Sequence, residues 1–264
     1  EQTQSAGLTA FSSDGFTVGD DDGIGANTAT YVAWQWKANG GTTSSNSDGS
    51  ITSTVQANTT AGFSIVTYTG NATAGATVGH GLGAVPNWII VKDRDAAKNW
   101  VNYHESIGND RSITLNTNDA QSASTDHWNN TTPTSSVFYL GDYSHVNATD
   151  DYVAYCFAEK QGYSKFGSYT GNGNADGAFV YTGFKPVWIM VKKTNEAEAW
   201  FIADSKRTPI NTNDDILEAN DTAAEGASTT LDLLSNGFKF RHENGNTTGE
   251  TYVYMAFAES PFVS

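Results

Sequence analysis

The amino-acid sequence predicts an all-β fold built from tandem antiparallel β-sandwich or jelly-roll-like repeats of about 100 residues each. Three observations support this prediction. Short runs of alternating apolar and polar residues are separated by turns rich in Gly, Asn and Asp, a pattern typical of half-buried strands. Aromatic residues make up 12% of the chain and charged residues only 16%, which suits pleated strands joined by polar turns. Finally, whole phrases of the sequence recur later in the same order.

The recurring phrases define two full repeats. The matching pairs are "YTGN" at Tyr68 and Tyr169, "PNWIIVKDRDAAKNW" at Pro86 with "PVWIMVKKTNEAEAW" at Pro186, "LNTND" at Leu115 with "INTND" at Ile210, "SSVFYLGD" at Ser135 with "SNGFKFRH" at Ser235, and "YVAYCFAE" at Tyr152 with "YVYMAFAE" at Tyr252. Their common order is far beyond chance similarity. We therefore predict one β-sandwich over residues 63–160 and a second over residues 164–264.

A partial third copy precedes the two full ones. "SDGFTVGD" at Ser13 and "YVAWQWKA" at Tyr31 match only the closing part of the repeat. Residues 1–38 are therefore expected to supply the closing strands of a truncated upstream repeat. Such strands would add to a neighbouring sheet, swap with another chain or continue an upstream domain. Residues 39–62, which include "NGGTTSSNSDGS", are expected to form a polar linker. Because the chain opens without Met, it is expected to be a processed product or a piece of a longer protein.

The strand that closes each repeat has one face of large apolar residues and one of small residues. We predict that the large residues face the two cores. These are Val153, Tyr155 and Phe157 in the first repeat and Val253, Met255 and Phe257 in the second. The small face is expected to pack on a neighbouring layer. It includes the only cysteine, Cys156, which cannot form an internal disulfide and is not expected to be reactive.

The charge of the chain excludes several classes of partner. A net charge of −15 argues against nucleic acid, which requires clustered Lys and Arg, and against anionic lipid. No apolar run reaches the ~20 residues that membrane insertion needs. Abundant carboxylates leave calcium as a weak candidate ligand at Asp20, Asp21 and Asp22 in "GDDDGIG". That turn lacks the twelve-residue calcium pattern with its closing Glu, so an exposed hairpin turn is favoured and no cofactor is predicted.

No constellation of residues predicts catalysis. The histidines are isolated, and the second repeat has no counterpart of His80, so a turn histidine bonded to the backbone is favoured over a metal ligand or a base. No GxSxG nucleophile elbow occurs. Carboxylate pairs for a glycosidase can be drawn anywhere in such a chain and carry no weight. We therefore assign no catalytic residue and predict that the protein is not an enzyme.

A polar loop carries the best candidate for ligand binding. "TDHWNNTTP" places Trp128 among His127, Asn129 and Asn130 without an apolar neighbour in sequence. An exposed Trp beside amides is what a carbohydrate platform requires, since the ring stacks on the sugar and the amides bind its hydroxyls. The alternative is a Trp that folds back over the end of the sandwich.

Several phrases resemble a repeated domain found in virion proteins of tailed bacteriophages, especially phages of marine bacteria. They are "TYVAWQWKANGG", "AGFSIVTYTGN", "WNNTTPTSSVFYLG", "YVAYCFAEKQGYSKFGSYTGNG" and "GETYVYMAFAESPF", and the resemblance covers essentially the whole chain. The resemblance implies a virion location, on the surface, tail or fibre, and a lectin-like domain often stands upstream in such proteins. It supplies no catalytic residues.

The resemblance leads to a functional expectation. We expect an extracellular virion structural or adhesive protein that aids host attachment. Its expected partners are other virion proteins, a host-surface glycan and further copies of itself, with a trimer favoured. Only "KQGY" separates the two full repeats, so tandem copies are expected to form a stiff appendage. The alternatives are a purely structural decoration module and a cellular surface adhesin or filament subunit; a glycan depolymerase has less support.

Overall fold

The computed structural model of the chain describes residues 5–227 and 230–260, and it confirms the all-β fold class. Every pairing between two strands in the described residues is antiparallel, and one isolated parallel bridge joins Ile51 to Val78. The only helices among these residues are two turns of four residues. The chain divides into two compact units between Trp36 and Lys37. No helix in the described part is long and apolar enough to cross a membrane. The predicted ranges 1–38 and 164–264 include residues 1–4, 228–229 and 261–264, which lie outside the described residues.

The first unit contains a small hairpin and a helical turn. Its elements are β1 (Leu8–Phe11), β2 (Phe16–Val18) and α1 (Asp22–Gly25). Residues 31–38, predicted as a closing strand, form neither a strand nor a helix, so that prediction is wrong. The alternation of the sequence survives, since Val32 and its alternate neighbours are half-buried while Tyr31, Ala33 and Gln35 are exposed. Strand conformation in the two full repeats depends on pairing with neighbours on both sides, which the sequence pattern alone does not provide.

The first repeat consists of a large and a small sheet. The large sheet contains β3 (Ser44–Asn46), β4 (Ser53–Asn58), β5 (Phe63–Thr69), β7 (Trp88–Asp93), β8 (Val101–His104), β9 (Arg111–Thr114), β10 (Ser122–Ala123) and β12 (Asp151–Phe157). The small sheet pairs β6 (Ala76–Gly79) with β11 (Val137–Leu140), and the turn α2 (Ser144–Asn147) precedes β12. The large sheet has the order β10-β9-β8-β7-β12-β5-β4-β3.

The second repeat has the same plan. Its large sheet contains β13 (Ser164–Thr170), β15 (Trp188–Lys193), β16 (Phe201–Asp204), β17 (Leu217–Glu218) and β20 (Thr251–Phe257); its small sheet contains β14 (Phe179–Tyr181), β18 (Leu231–Leu234) and β19 (Gly237–Phe240). The large sheet has the order β13-β20-β15-β16-β17, which matches β5-β12-β7-β8-β9 strand for strand. The closing strand lies inside both sheets, with a paired strand on each side.

The cores use the opposite face of the closing strand from the one predicted. Tyr152, Ala154 and Cys156 lie in the core of the first repeat, and Tyr252, Tyr254 and Ala256 lie in that of the second. The prediction that Val153, Tyr155 and Phe157, with Val253, Met255 and Phe257, face the cores is therefore wrong. Ala154 and Cys156 suit the core side of the first repeat because large rings from other strands, such as Tyr68 and Phe138, fill the space.

The large residues instead join the two repeats to each other. The ring centroids of Phe157 and Phe257 lie 6.0 Å apart, and Phe166 lies 6.0 Å from Phe157 and 6.5 Å from Trp88. We call these four residues the seam. Phe157 and Phe257 occupy equivalent positions of the two closing strands, so the outer faces of the two large sheets meet at the seam. Both faces of β20 are buried beyond Thr251, and in β12 Phe157 is buried while Val153 and Tyr155 are half-buried. Packing on both sides explains the nearly continuous apolar sequence of the closing strands.

The segment predicted as a polar linker is part of the first sandwich. Strand β4 pairs with β5 along its length, Val55 and Ile51 enter the core, and the Ile51 N–H donates to the Thr77 carbonyl oxygen at 2.9 Å. Residues 44–58, which we call the clasp, thus tie the large sheet to β6 of the small sheet. The linker prediction for residues 39–62 is wrong, because Ser, Thr and Asn also suit a sheet-edge strand that keeps one face in water.

The "YTGN" phrase marks a corner that both repeats build alike. The rings of Tyr68 and Tyr152 stack with centroids 5.2 Å apart, and those of Tyr169 and Tyr252 with centroids 5.0 Å apart. A buried Asn from the segment just before the closing strand accepts the backbone N–H of the phrase's own Asn. These bonds are Asn71 N–H to Asn147 at 2.9 Å and Asn172 N–H to Asn246 at 3.1 Å. The repetition of the phrase therefore has a structural cause.

Candidate functional site

The loop predicted as a carbohydrate platform is folded into the first sandwich. Trp128 is only 2% exposed, and its indole Nε1–H donates to the Arg111 carbonyl oxygen at 3.1 Å. Its ring meets Tyr103 edge-on with centroids 5.9 Å apart. The expected exposed platform is therefore absent, and the alternative of a Trp folded back over the sandwich is the one observed. The cause is the apolar ring itself, which gains more from the core than from the polar loop.

The neighbours of Trp128 serve the same turn. His127 is buried, and burial lowers the pKa of its imidazole to about 4. Asn129 and Asn130 have φ angles of 50° and 46°, a left-handed conformation that Asn tolerates better than most residues. Asn130 is exposed and Asn129 is half-buried. The four residues are adjacent as predicted, but only the two asparagines reach solvent.

The acidic turn of the first unit is organised by its own backbone. Asp21 caps the turn α1, where its Oδ1 accepts the Gly23 N–H at 2.9 Å, and Asp20 and Asp22 are exposed. Over residues 5–227 and 230–260, no three His, Cys, Asp or Glu side chains come together in a group that could hold a metal ion. The Asp21 carboxylate thus acts as the N-terminal cap of α1, which is a common structural use of Asp.

The remaining titratable side chains singled out from the sequence also bond within the fold. His80 is fully buried; its Nδ1 accepts the Leu82 N–H at 3.2 Å and its Nε2 lies 3.1 Å from the Thr134 carbonyl oxygen. It is the backbone-bonded turn histidine that the sequence favoured. Cys156 is fully buried, and burial raises the pKa of its thiol. A thiol held protonated in this way is a poor nucleophile.

The most distinctive exposed surface lies on the small sheet of the second repeat. Phe179 and Tyr181 alternate with buried Val180 on edge strand β14, so both rings lie on the same outer face. They are 48% and 63% exposed. A Cβ placed on Gly237 of the neighbouring strand would lie 2.9 Å from Cε2 of Phe179, so the ring covers that glycine. The glycine leaves a low, flat surface under the aromatic side chains.

Charged groups border these rings on the same face. Lys239, directly opposite Phe179 in the sheet, donates to Asp176 at 2.5 Å. Arg241 bridges Asp176 at 3.0 Å and Asp232 at 2.5 Å. The hydrogen bond from Lys239 is the main cause that lowers the pKa of Asp176. We call Phe179, Tyr181 and this ion-pair network the aromatic face.

The equivalent surface of the first repeat is different. The pairing of Val78 with Phe138 and of Val180 with Phe238 aligns the strands, so that Thr77 and Gly79 correspond to Phe179 and Tyr181. Thr77 binds the clasp through Ser50 and Ile51. At Gly79 a Cβ would lie 1.8 Å from Oδ1 of Asn46. The clasp therefore covers Thr77 and Gly79 in the first repeat, whereas Phe179 and Tyr181, at the equivalent positions of the second repeat, are exposed to solvent.

The sequence contained a signal for the aromatic face that pattern reading missed. Aligning "ATVG" with "AFVY" between the two copies shows two small or polar residues replaced by aromatic residues at alternate positions. Alternation in a strand places such residues on one face, and the middle Val already occupies the core side. Two aromatic residues on the solvent side of an edge strand indicate a contact surface.

Comparison with known proteins gives a family but no characterised relative. No curated protein and no solved structure matches the chain. The family described as domain of unknown function DUF7483 matches residues 1–261, which is nearly the whole chain. The two repeats, the clasp and the first unit all lie within that match. The chain belongs to the DUF7483 family.

Proposed function

We propose that this protein is a structural and adhesive component of a tailed-phage particle, and that it attaches to a host-surface glycan through its aromatic face. The virion setting is supported by the resemblance of the sequence phrases to a repeated domain of tailed-phage virion proteins. The binding role is supported by one observation above all: two rings, 48% and 63% exposed, lie side by side on an ordered sheet beside an ion-pair network.

The chemistry of this surface suits a sugar. Pyranose rings have apolar faces of C–H groups that stack on aromatic side chains, and their hydroxyls bond to charged and amide groups nearby. Phe179 and Tyr181 supply the first kind of contact, and Lys239, Arg241 and Asp176 supply the second. A rigid sheet places both kinds without an ordering cost at the moment of binding.

Weak single sites are sufficient for attachment. The protein is proposed to act as a homo-oligomer, with a trimer favoured, alongside other virion proteins. Symmetric copies raise the effective concentration of each site, so that millimolar contacts combine into firm adhesion. The role is binding rather than catalysis.

The aromatic face can be tested with a double substitution. The purified chain and its Phe179→Ser/Tyr181→Ser variant are applied to a glycan panel and to host cells. At about 0.5–1.5 kcal/mol per ring, the loss of both rings is expected to weaken binding about 5- to 150-fold. Tyr143→Ser, at a ring that is 40% exposed in the first repeat, is the matched control and should bind as the unmodified chain does.

Four results would overturn parts of this proposal. Binding unchanged in the double variant would remove the aromatic face as the site. Cleavage of a glycan by the purified chain would contradict a purely binding role. Labelled antibody that finds the protein inside the particle, combined with an absence of glycan binding, would leave a purely structural module; absence from particles altogether would favour a cellular adhesin.

A further inference from the structure

We propose that the groove between the two repeats binds a carboxylate-bearing ligand through Arg111. The groove has a volume of about 240 Å³. Ser106, Arg111 and Gln121 of the first repeat form one wall, and Thr194, Asn195 and Thr251 of the second form the other. It is separate from the aromatic face and stands on its own residues, so it does not rest on the proposed function.

The position of Arg111 follows from the strand that carries it. Arg111 opens β9 and alternates with Ile113, which is 1% exposed and pairs with Asn102. Because alternate residues share a face, the Arg111 side chain lies on the same side of the sheet as Ile113. That places the guanidinium at the rim of the joint between the repeats, where the groove opens.

The guanidinium is available to a ligand. The Arg111 side chain is 40% exposed, and its Nε lies 4.0 Å from Oδ1 of Asp110, too far for a hydrogen bond. Among the residues that the structure describes, this is the only ion-pair contact recorded for Arg111. A planar guanidinium with uncommitted N–H groups matches a carboxylate with two parallel hydrogen bonds.

The walls of the groove are held in place across the joint. The Gln121 N–H donates to the Thr194 carbonyl oxygen at 2.7 Å, and the Thr194 hydroxyl donates to the Thr251 carbonyl oxygen at 3.1 Å. On the opposite side, Trp128 fixes the Arg111 backbone through the 3.1 Å bond from its indole. A groove with preset walls binds without first ordering them. Trp128 thus supports this site from within the core rather than stacking on a sugar.

The size and lining of the groove define the ligand class. Typical ligand pockets hold about 300–1,000 Å³, so this groove admits one small acidic unit and leaves the rest of a larger molecule outside. Beside the single cation, the walls offer hydroxyl and amide groups from Ser106, Thr194 and Asn195. A carboxylate that carries hydroxyls fits this lining, as in an acidic sugar residue; a free small carboxylic acid shares the charge but not the hydroxyls.

The probes are glucuronate, its uncharged amide glucuronamide, and acetate, each titrated into the full chain by NMR. Glucuronate is expected to bind at least 10-fold more tightly than glucuronamide. Arg111→Gln should weaken glucuronate binding at least 10-fold. Arg111→Lys should give an intermediate loss of affinity, because Lys keeps the positive charge but lacks the planar guanidinium that donates two parallel hydrogen bonds. Lys206→Gln removes one exposed positive charge elsewhere and should leave the affinity for glucuronate unchanged.

The comparison with acetate identifies the source of the carboxylate. Acetate binding as tight as that of glucuronate would assign the site to free carboxylic acids, and weaker acetate binding would assign it to acidic sugars.

The proposal has clear failure points. Equal binding of glucuronate and glucuronamide would show that the carboxylate is not recognised. Binding unchanged in Arg111→Gln, with the melting temperature also unchanged, would place any ligand elsewhere. No chemical-shift change with glucuronate or acetate at millimolar concentration would overturn the site. The aromatic-face variant Phe179→Ser/Tyr181→Ser should keep its glucuronate affinity, which separates this test from that of the proposed function.

Discussion

The two repeats share one strand order but close the same side of the sandwich in different ways. In the first, the clasp pairs with β5 and bonds to β6, and Val55 completes the core. In the second, no strand among the described residues pairs with the outer edge of β13. There Tyr254 takes the place of Ala154, and its hydroxyl would lie 3.0 Å from a Cβ on Gly167. One repeat fills its core with an extra strand and the other with a larger side chain.

The difference shows how, in a duplicated fold, one copy can fill its core in another way and leave surface positions free for a different use. Once Tyr254 has filled the core, the outer side of the second repeat no longer needs the clasp. The positions that bind the clasp in the first repeat are then open to change, and they hold Phe179 and Tyr181. The seam, in contrast, includes equivalent residues of both copies, since the rings of Phe157 and Phe257 contact each other.

The seam is expected to give the largest effect of any single substitution. Phe157→Ala should lower the free energy of unfolding by about 3–5 kcal/mol, because it leaves a cavity between two packed sheets. Urea denaturation measures the loss. Phe179→Ala, at a ring that is 48% exposed, serves as the control and should cost less than about 1 kcal/mol. A loss below about 1 kcal/mol for Phe157→Ala would mean that the repeats are not tightly joined.

Acid should affect the first repeat before the second. Burial lowers the pKa of His104 from 6.5 to about 3. Between pH 6.5 and about 3, His104 is therefore protonated in the unfolded chain but neutral in the folded chain. Because the unfolded chain binds the extra proton, the free energy of unfolding falls as the pH falls through this range. The slope is up to about 1.4 kcal/mol per pH unit, or roughly 2–3 kcal/mol from pH 6.5 to 4.5.

The equivalent residue of the second repeat responds later. Burial alone would raise the pKa of Asp204, but hydrogen bonds from Arg207 lower it below 3.8, so its contribution is lost only below that pH. Unfolding measured against pH should therefore show a smaller slope between pH 6.5 and 4.5 in His104→Asn, whose amide oxygen can still accept the Ser106 N–H. The exposed His242→Asn is the control. An unaltered slope in His104→Asn would show that this histidine is not held neutral.

The clasp should not tolerate the side chains of the second repeat. Gly79→Tyr places a Cβ 1.8 Å from Oδ1 of Asn46 and is expected to cost about 1–3 kcal/mol as the clasp is displaced. Thermal unfolding and protease sensitivity within residues 44–58 both report the change. Intact protease resistance in that segment would contradict the role of the clasp.

The reciprocal change should have the smallest effect on stability. Tyr181→Thr removes a ring that is 63% exposed and keeps a residue suited to strands, so the free energy of unfolding should stay within about 0.5 kcal/mol of the unmodified value. The same thermal scan tests it. A clear loss of stability would show that Tyr181 is needed for folding and would argue against a surface kept for contact.

The repeats and strands could be predicted because their pattern is local. Period-two alternation and ordered phrases specify strands wherever they occur. The orientation of the closing strand could not be predicted, since apolar residues occupy both of its faces and the size of Phe157 does not reveal which layer it meets. Likewise, Ser and Thr in the clasp carry the same composition whether they form a linker or an edge strand.

Individual residue roles were harder to predict than strands. The "LNTND" and "INTND" phrases match in letters but not in role. Asn116 accepts the Trp100 N–H at 2.8 Å, and the same bond to Trp200 is made by Asn220, whereas Asn211 bonds to Leu233. The predicted role of Trp128 was wrong for a similar reason, because its polar neighbours in sequence gave no sign of the apolar space that its ring fills. Tertiary packing, which sequence spacing does not encode, decides such cases.

The buried corner asparagines have a consequence for producing the protein. Asn147 and Asn246 are each followed at the second position by Thr, which makes both of them acceptor sites for N-linked oligosaccharides. Both side chains are at most 1% exposed and hold the corner by hydrogen bonds. A glycan attached to either during synthesis would have no space in the finished fold. Hosts that glycosylate secreted chains should therefore yield misfolded protein from the secretory route, while bacterial expression avoids the conflict.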